Sequence, residues 1–581
     1  MSKTIRMFTI SKSTGTHGDV FAAVGLADLL AHIPSAGDVR IVETDAGFEV
    51  TPSTQLDSSA FGTVPHVPGY PFLRTSEKVK APRSAVDVVD YKAEKAKADR
   101  RKQAAEKERA NKSKTLDAET QELLQQEALR SDWRLLQVLN ALQGDETTNK
   151  VHAAIVSRSG NIFHKEVAAS LEALVQGKDS GLDWEVSTVQ LFTPTSAKGY
   201  SRLKPDSTGR NDKTKEQWAD PFIEWLKYRG YFRVACPYFQ GQKGEHVRLL
   251  SPVPNDIGVR ALESVAQGLR SSSVYGGPPK LDILAVLSLA KLLIIHSEEY
   301  HERGAEVFPG LSLRGRNPRE LISAVTTTQY QSLGNAKAVS AMSVIAVPGW
   351  FPIRTNEDAT FWLSILDEHQ RVVRGLQDGY SDEIGLLLGY RRFLEHRGEP
   401  ALCALVEFMG RYGALIMRAN GLKQENRTRW MTRFTGEYLK RMVSEMNTTL
   451  SDIVNDSGFD AVARAVRQAT VTAQNKRARG EDVWREIRYD LLHDIHRTRQ
   501  VPGNAFLECI GEFISRYNYE NARRREITKN PKAAPANVSD EELKSFLGLV
   551  SQHGASVVGA LLAAYGTCKE KWEGAEQDTR S

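Results

Sequence analysis

Apolar residues are densest in the middle of the chain, from Leu281 to Tyr300 (LDILAVLSLAKLLIIHSEEY). Between Asp282 and His296 only Ser288 and Lys291 interrupt the run. A bilayer crossing needs roughly 20 mostly apolar residues, so this stretch is too short and too interrupted for one. The pattern predicts a helix buried on most of its circumference, against which other elements pack. Gly276-Gly277-Pro278-Pro279 ahead of it turns the chain sharply into the helix.

Toward the N-terminus, residues 3–10 (KTIRMFTI) predict a strand, Ser11 to Asp19 a polar loop, and Val20 to Ile33 an apolar helix. Thr14, Gly15 and Gly18 look like an anion-binding loop, but a P-loop needs Lys followed by Ser or Thr where Asp19 and Val20 stand. Asp19 is better read as a helix cap or first-turn acid than, with His17, as a catalytic group. Val39–Glu43 predicts a short strand. From Tyr91 to Leu116 the chain is almost all Ala, Lys, Arg and Glu, which predicts a solvated helix or an arm. Apolar spacing returns from Leu123 to Leu142. Val151–Phe163 and Trp184–Phe192 read as extended pieces bracketing a helix near Val167–Val175. Residues 218–239 predict a helix to about Tyr228, a break at Gly230 and a strand, with further strands in HVRLLSPVP and at Val344–Val347.

Beyond Trp350 helical periodicity takes over, from Phe361–Leu376 through Val483–His496 to Glu541–Leu562. The expected fold class is α+β, an irregular mixed α/β N-terminal body followed by a predominantly α-helical C-terminal bundle. Its expected segments are 1–90 (α/β), 91–145 (charged helical arm and core helix), 146–355 (mixed α/β body with the central helix) and 356–581 (helical bundle).

Composition narrows the function. The 581 residues are 41% hydrophobic, enough for a substantial core, and the formal charge of +5 is mild for that length. Four cysteines, Cys236, Cys403, Cys509 and Cys568, are widely spaced without a CxxC pair, which suits reduced thiols in a cytoplasmic protein. The opening residues lack a signal-peptide pattern. Charge is distributed unevenly. Residues 418–532 hold 22 Lys or Arg against 15 Asp or Glu. The clusters are Arg427/Arg429/Arg433, Lys476/Arg477/Arg479, Arg497/Arg499 and Arg523/Arg524/Arg525. Such clusters on one face would bind phosphates, and charges at helix ends also arise for dipole reasons alone. Both readings stand at this stage. A basic loop carries Lys198, Arg202 and Lys204, and a polar connector carries Arg314, Arg316, Asn317 and Arg319.

Catalytic motifs are missing: no HExxH, zinc-finger spacing, GxSxG or Walker pair occurs. His493-Asp494-Ile495-His496 is the best metal-like string, and it would need further ligands from distant helices. Neither a cofactor nor a resident metal is expected, and the reading is a recognition or scaffold subunit without its own catalytic centre.

GTHGDVFAAVGLADLL, YFRVACPYF, YGGPPKLDILAVLSLAKLLIIHS, SLGNAKAVSAMSVIAVPGW and CALVEFMGRYGALIMRANG together touch much of the chain. In these the sequence resembles large subunits of type I CRISPR interference (Cascade) complexes, in a divergent I-A/I-B-like group. The resemblance implies a non-catalytic subunit that reads the protospacer-adjacent motif, aids duplex opening and holds the displaced strand of the R-loop. Implied partners are guide RNA (crRNA), target DNA, and the backbone and crRNA-handle-binding subunits. A helicase-nuclease or a transposition adaptor is the implied recruit, and no membrane is involved. Lys198, Arg202, Lys204, Arg314, Arg316, Asn317, Arg319 and Asn335 become candidates for DNA or guide contact, with Asn317 or Asn335 suited to a base edge. Arg427, Arg429, Arg433, Lys476, Arg477, Arg479, Arg497, Arg499, Arg523, Arg524 and Arg525 become displaced-strand phosphate candidates. Two other functions remain open: a metal-dependent phosphohydrolase or nuclease using His493, Asp494 and His496, and a helical protein–protein interaction scaffold.

Overall fold

A computed structural model describes residues 4–110, 127–184, 186–187, 189–194, 220–241, 245–304, 311–333, 336–421 and 431–569. The chain divides into two units. One comprises Met1–Ser273, Leu292–Leu313 and Pro318–Val347; the other comprises Val274–Lys291, Arg314–Asn317 and Pro348–Ser581. The first is mixed α/β and the second helical, in accord with the α+β expectation.

In the α/β unit two antiparallel four-stranded sheets carry most of the strand residues. One has the strand order Asp256–Gly258, Val39–Glu43, Gly47–Pro52, Phe8–Ser11. The other has the strand order Ala336–Ala346, Ile322–Leu333, His246–Pro254, Cys236–Gln240. The helix His17–Ala31 packs on the first sheet and lies along the helix Pro221–Val234. Two glycines permit that approach. A Cβ on Gly25 would lie 1.8 Å from the Leu226 carbonyl oxygen, and one on Gly230 would lie 1.9 Å from that of Phe21. Residue 230 therefore does not break the helix as expected; the helix runs through it because its missing side chain admits the neighbouring backbone.

The N-terminal polar loop is a self-contained device. Asp19 accepts from the amides of Thr14 and Gly15 at 2.8–3.2 Å, while Thr16 caps the helix by accepting from Gly18. Burial raises the Asp19 carboxyl, opposed by these hydrogen bonds. His17 is fully enclosed, between Thr328 Oγ1 at 3.1 Å and the Leu191 carbonyl. A carbonyl only accepts, so Nε2 carries the proton and the ring is neutral; burial pushes its pKa down to about 4.

Other expectations change. Val151–Phe163 is not extended: helices Asp145–Ser157 and Gly160–Val175 cover it, burying Val151, His152 and Ile155 on one face. The described part of Trp184–Phe192 forms no strand. Tyr91–Ala110 is a helix, anchored by Tyr91 against Trp133 with ring centroids 5.2 Å apart.

In the helical unit an aromatic core surrounds His369. Trp350 stacks on Trp362 at 4.7 Å, and His369 Nδ1 lies 2.6 Å from the Tyr390 hydroxyl. The central helix Pro278–Arg303 buries every residue from Leu281 to Leu289 and Ala290, and its residues through Lys291 belong to this unit. The expected helix Val483–His496 is shorter, Leu491–Thr498, because 481–490 is irregular. There Arg485 lies over Trp484 and Tyr517 and donates to Asn521. Among the described residues one helix, Gly398–Ala419, is long and apolar enough to cross a membrane, at 22 residues and mean hydropathy 1.3, and 61% of its apolar stretch is buried.

Candidate nucleic-acid interface

The helices Ser381–Glu395, Gly398–Gly421 and Leu491–Thr498 enclose a groove of about 420 Å³ in the helical unit. Arg411 and Arg418, seven residues apart, stand two turns apart on one stripe of the middle helix. His493 and His496, three apart, face the groove from the short helix. Arg418 pairs with Asp382 at 3.1 Å, both more than half exposed. Arg411 is exposed and makes no ion pair among the described residues; its guanidinium lies over Gly385, where a Cβ would stand 3.4 Å from Nη2. Among the groove-lining side chains four are basic or protonatable and one, Asp382, is acidic, and the Arg411 fork can meet an anion.

His496 is tied from behind. Its Nε2 is 3.8 Å from Glu407, and Nδ1 is 3.3 Å from Arg499 Nη2. Burial lowers its pKa; Glu407 opposes that shift, and Arg499, His493 and Arg411 add to it. Arg499 itself is buried, bonded to Glu407 at 2.6 Å and to the Ser556 carbonyl at 3.2 Å.

The expected phosphate contacts fall into four groups. Lys476, Arg477, Arg479, Arg497 and Arg523 are exposed. Arg499, Arg524 and Arg525 are engaged in packing: Arg524 lies over Trp484, and Arg525 donates to Asn537 and the Pro535 carbonyl. Arg433 is half-buried. Arg427 and Arg429 lie outside the described residues. Lys476 and Arg477 lie in the last turn of the helix Ala473–Ala478 and Arg479 caps it, where the helix dipole also favours cations.

The connector does not act as one cluster. Arg314, Arg316 and Asn317 belong to the helical unit, where Arg314 donates to Asn356 and the backbone bridges to Ile353. Arg319 belongs to the α/β unit and is buried, donating to the Val347 carbonyl at 2.6 Å. Lys198, Arg202, Lys204 and Asn335 lie outside the described residues.

The His493/Asp494/His496 string does not converge. The two histidines line the basic groove, while Asp494 lines a second cavity of about 690 Å³ beside the helix Ala505–Thr528 and is 3.4 Å from Arg497. Among the described residues no group of three His, Cys, Asp or Glu could hold a metal ion. The groove itself was not singled out from sequence, although the Arg411–Arg418 interval of seven and the His493–His496 interval of three were the readable signals. No family model matches this chain, and no curated protein matches it.

Proposed function

We propose that the chain is the non-catalytic large subunit of a guide-RNA-directed DNA-binding complex of the type I CRISPR kind, working in the cytoplasm. In this reading it recognises the protospacer-adjacent motif, aids duplex opening and holds the displaced strand. Its partners are crRNA, target DNA and the backbone and handle-binding subunits, with a helicase-nuclease or a transposition adaptor as the recruit. The observation that supports it most directly is Arg411, an exposed guanidinium with no ion pair among the described residues, in a groove shared with Arg418, His493 and His496. Phosphate diesters are matched by such planar forks, and Lys476, Arg477, Arg479 and Arg497 add exposed positive charge on the same unit.

Co-purification with the partner subunits and guide RNA tests the reading, followed by binding to duplexes carrying a randomised flank beside a fixed protospacer. Guide-dependent binding with a restricted flanking motif, lost when this chain alone is omitted, is expected. Assembly and motif preference unchanged by the omission would reject it in favour of a scaffold.

A further inference from the structure

The α/β unit contains a cavity of about 590 Å³ that the proposed function does not use. It opens between the loops around His66–Pro71 and Ser84–Asp87 and the helices Asp145–Ser157, Pro221–Val234 and Val259–Ser271. Its volume lies within the range of small-molecule sites, about 300–1,000 Å³.

One wall carries a positive charge that meets no acid. Arg270, in the last turn of the helix Val259–Ser271, is half-buried and lines the cavity. Its Nε donates to the Ala235 carbonyl at 2.8 Å, and its Nη2 donates to the carbonyls of Phe232 and Arg233. These bonds cap the C-terminal end of the helix Pro221–Val234 and fix the plane of the guanidinium. Capping leaves Nη1 over. It makes no hydrogen bond among the described residues and stays open to solvent, and Arg270 forms no ion pair among them. Carbonyl dipoles stabilise the cation without cancelling its charge.

Negative charge is in surplus elsewhere on the lining. Asp87 and Asp132 share one guanidinium, that of Arg130, at 2.8–2.9 Å, so two carboxylates meet a single cation. The Asp87 side chain is still 49% exposed. Glu263, the third lining acid, belongs to a balanced set in which Glu263 and Asp28 face Arg233 and Arg229. These ionic groups therefore cancel in sum but not in place. Arg270 pairs with neither aspartate, so the two uncancelled charges stand apart. Apolar surface completes the lining, with the half-buried Phe232 and with Val67 and Val86 at the rim, 43% and 89% exposed.

A neutral ligand would answer neither charge, and a simple anion or cation would answer one. From the pinned guanidinium, the shared carboxylates and the apolar rim, we infer that this cavity binds a small zwitterion whose carboxylate and amine are separated by an apolar spacer. The carboxylate meets Arg270 Nη1, the ammonium meets Asp87, and the spacer lies against Phe232 and the two valines. The inference does not depend on the proposed function.

Calorimetric titration of the full chain with ε-aminocaproate tests it. Caproate and hexylamine are the comparators, each keeping the spacer and one of the two charges. The zwitterion is expected to bind at a single site with Kd below about 1 mM, about fivefold or more tighter than either comparator. Asp87→Asn removes the surplus negative charge from an exposed loop and leaves Arg130 paired with Asp132. Its melting temperature should hold while the advantage of ε-aminocaproate over caproate disappears. Arg270→Gln should abolish binding of both carboxylates; it also strips the helix cap, so Asp87→Asn decides if that variant does not fold. Absence of saturable ε-aminocaproate binding up to about 10 mM would overturn the inference. So would either comparator binding as tightly as the zwitterion, or an advantage over caproate unchanged in Asp87→Asn.

Discussion

Gly25 faces the carbonyl oxygen of Leu226 so closely that a Cβ at residue 25 would stand 1.8 Å from it, far inside van der Waals contact. Gly230 repeats the arrangement toward Phe21, 1.9 Å away, so the two helices touch backbone to backbone at two points. Around this contact lie the buried pairs Arg229–Asp28 and Lys227–Glu224.

Replacing either glycine with alanine must push the helices apart, because the obstructing atom is backbone rather than a flexible side-chain end. Gly25→Ala is expected to cost about 3 kcal/mol, at the upper end for overpacking. Gly511→Ala, in a helix with open space around residue 511, should instead be neutral or stabilising by up to about 1 kcal/mol. Urea denaturation of the two variants beside the parent checks both; equal midpoints would refute the close-packed crossing.

Three histidines make stability fall in acid. Burial holds His17 and His152 at about 4 and His369 at about 3, against 6.5 for an exposed imidazole. Their folded pKa values lie below the unfolded ones, so the unfolded chain binds more protons as pH falls. Their contribution is fully present above pH 6.5 and is lost between there and about pH 4 for His17 and His152, or about pH 3 for His369, at up to about 1.4 kcal/mol per pH unit for each group. Glu368, whose carboxyl burial raises, works in the opposite direction and only in the carboxylate range. Stability measured from pH 7 to 5 should therefore decline, and less steeply in His369→Gln, where the Tyr390 hydroxyl keeps a polar partner. The same slope in both proteins would show that His369 protonates freely.

Arg485 is held by its shape as well as its charge. It lies 4.1 Å from the Tyr517 ring centroid and 4.8 Å from that of Trp484, while donating to the buried Asn521. Lysine keeps the charge but neither the flat face nor the fork. Arg485→Lys is expected to lower stability by about 1–2 kcal/mol, comparable with loss of a desolvated cation–π contact and a hydrogen bond. A thermal melt within 1 °C of the parent would contradict that role.

Legibility in the sequence followed the local signals. Val39–Glu43 and the central helix around Leu281 emerged because alternation and uninterrupted apolar density need no knowledge of partners. Val151–Phe163 misled through its β-branched Val and Ile residues, whereas the buried set Val151, His152 and Ile155 follows helical spacing. The long strand Ile322–Leu333 was missed because its buried positions include Thr327, Thr328 and Gln329, polar groups paid for by cross-strand bonds such as Arg248 to Thr327. Gly230 was read as a break because the backbone filling its vacancy lies some 200 residues away in sequence. Arginine clusters were equally ambiguous: Arg497 and Arg499 are neighbours in the chain, yet one faces solvent and the other is buried against Glu407.

This last contrast separates binding from folding experimentally. Arg411→Ala removes an exposed guanidinium that pairs with no acid among the described residues, so the melting temperature should stay within about 1 °C while affinity for DNA drops across all sequences. If Arg411 contacts one phosphate, the slope of log K against log salt should flatten by about 1. Arg499→Ala should do the reverse. It leaves Glu407 without its 2.6 Å partner and the Ser556 carbonyl without its donor, at a cost of about 1–3 kcal/mol. Any loss of DNA binding by Arg499→Ala should then track the folded fraction and leave the salt slope unchanged. Parallel melts and salt titrations of the assembled complex decide the matter: an Arg411→Ala variant with parental affinity and parental slope would remove the basic groove from the interface.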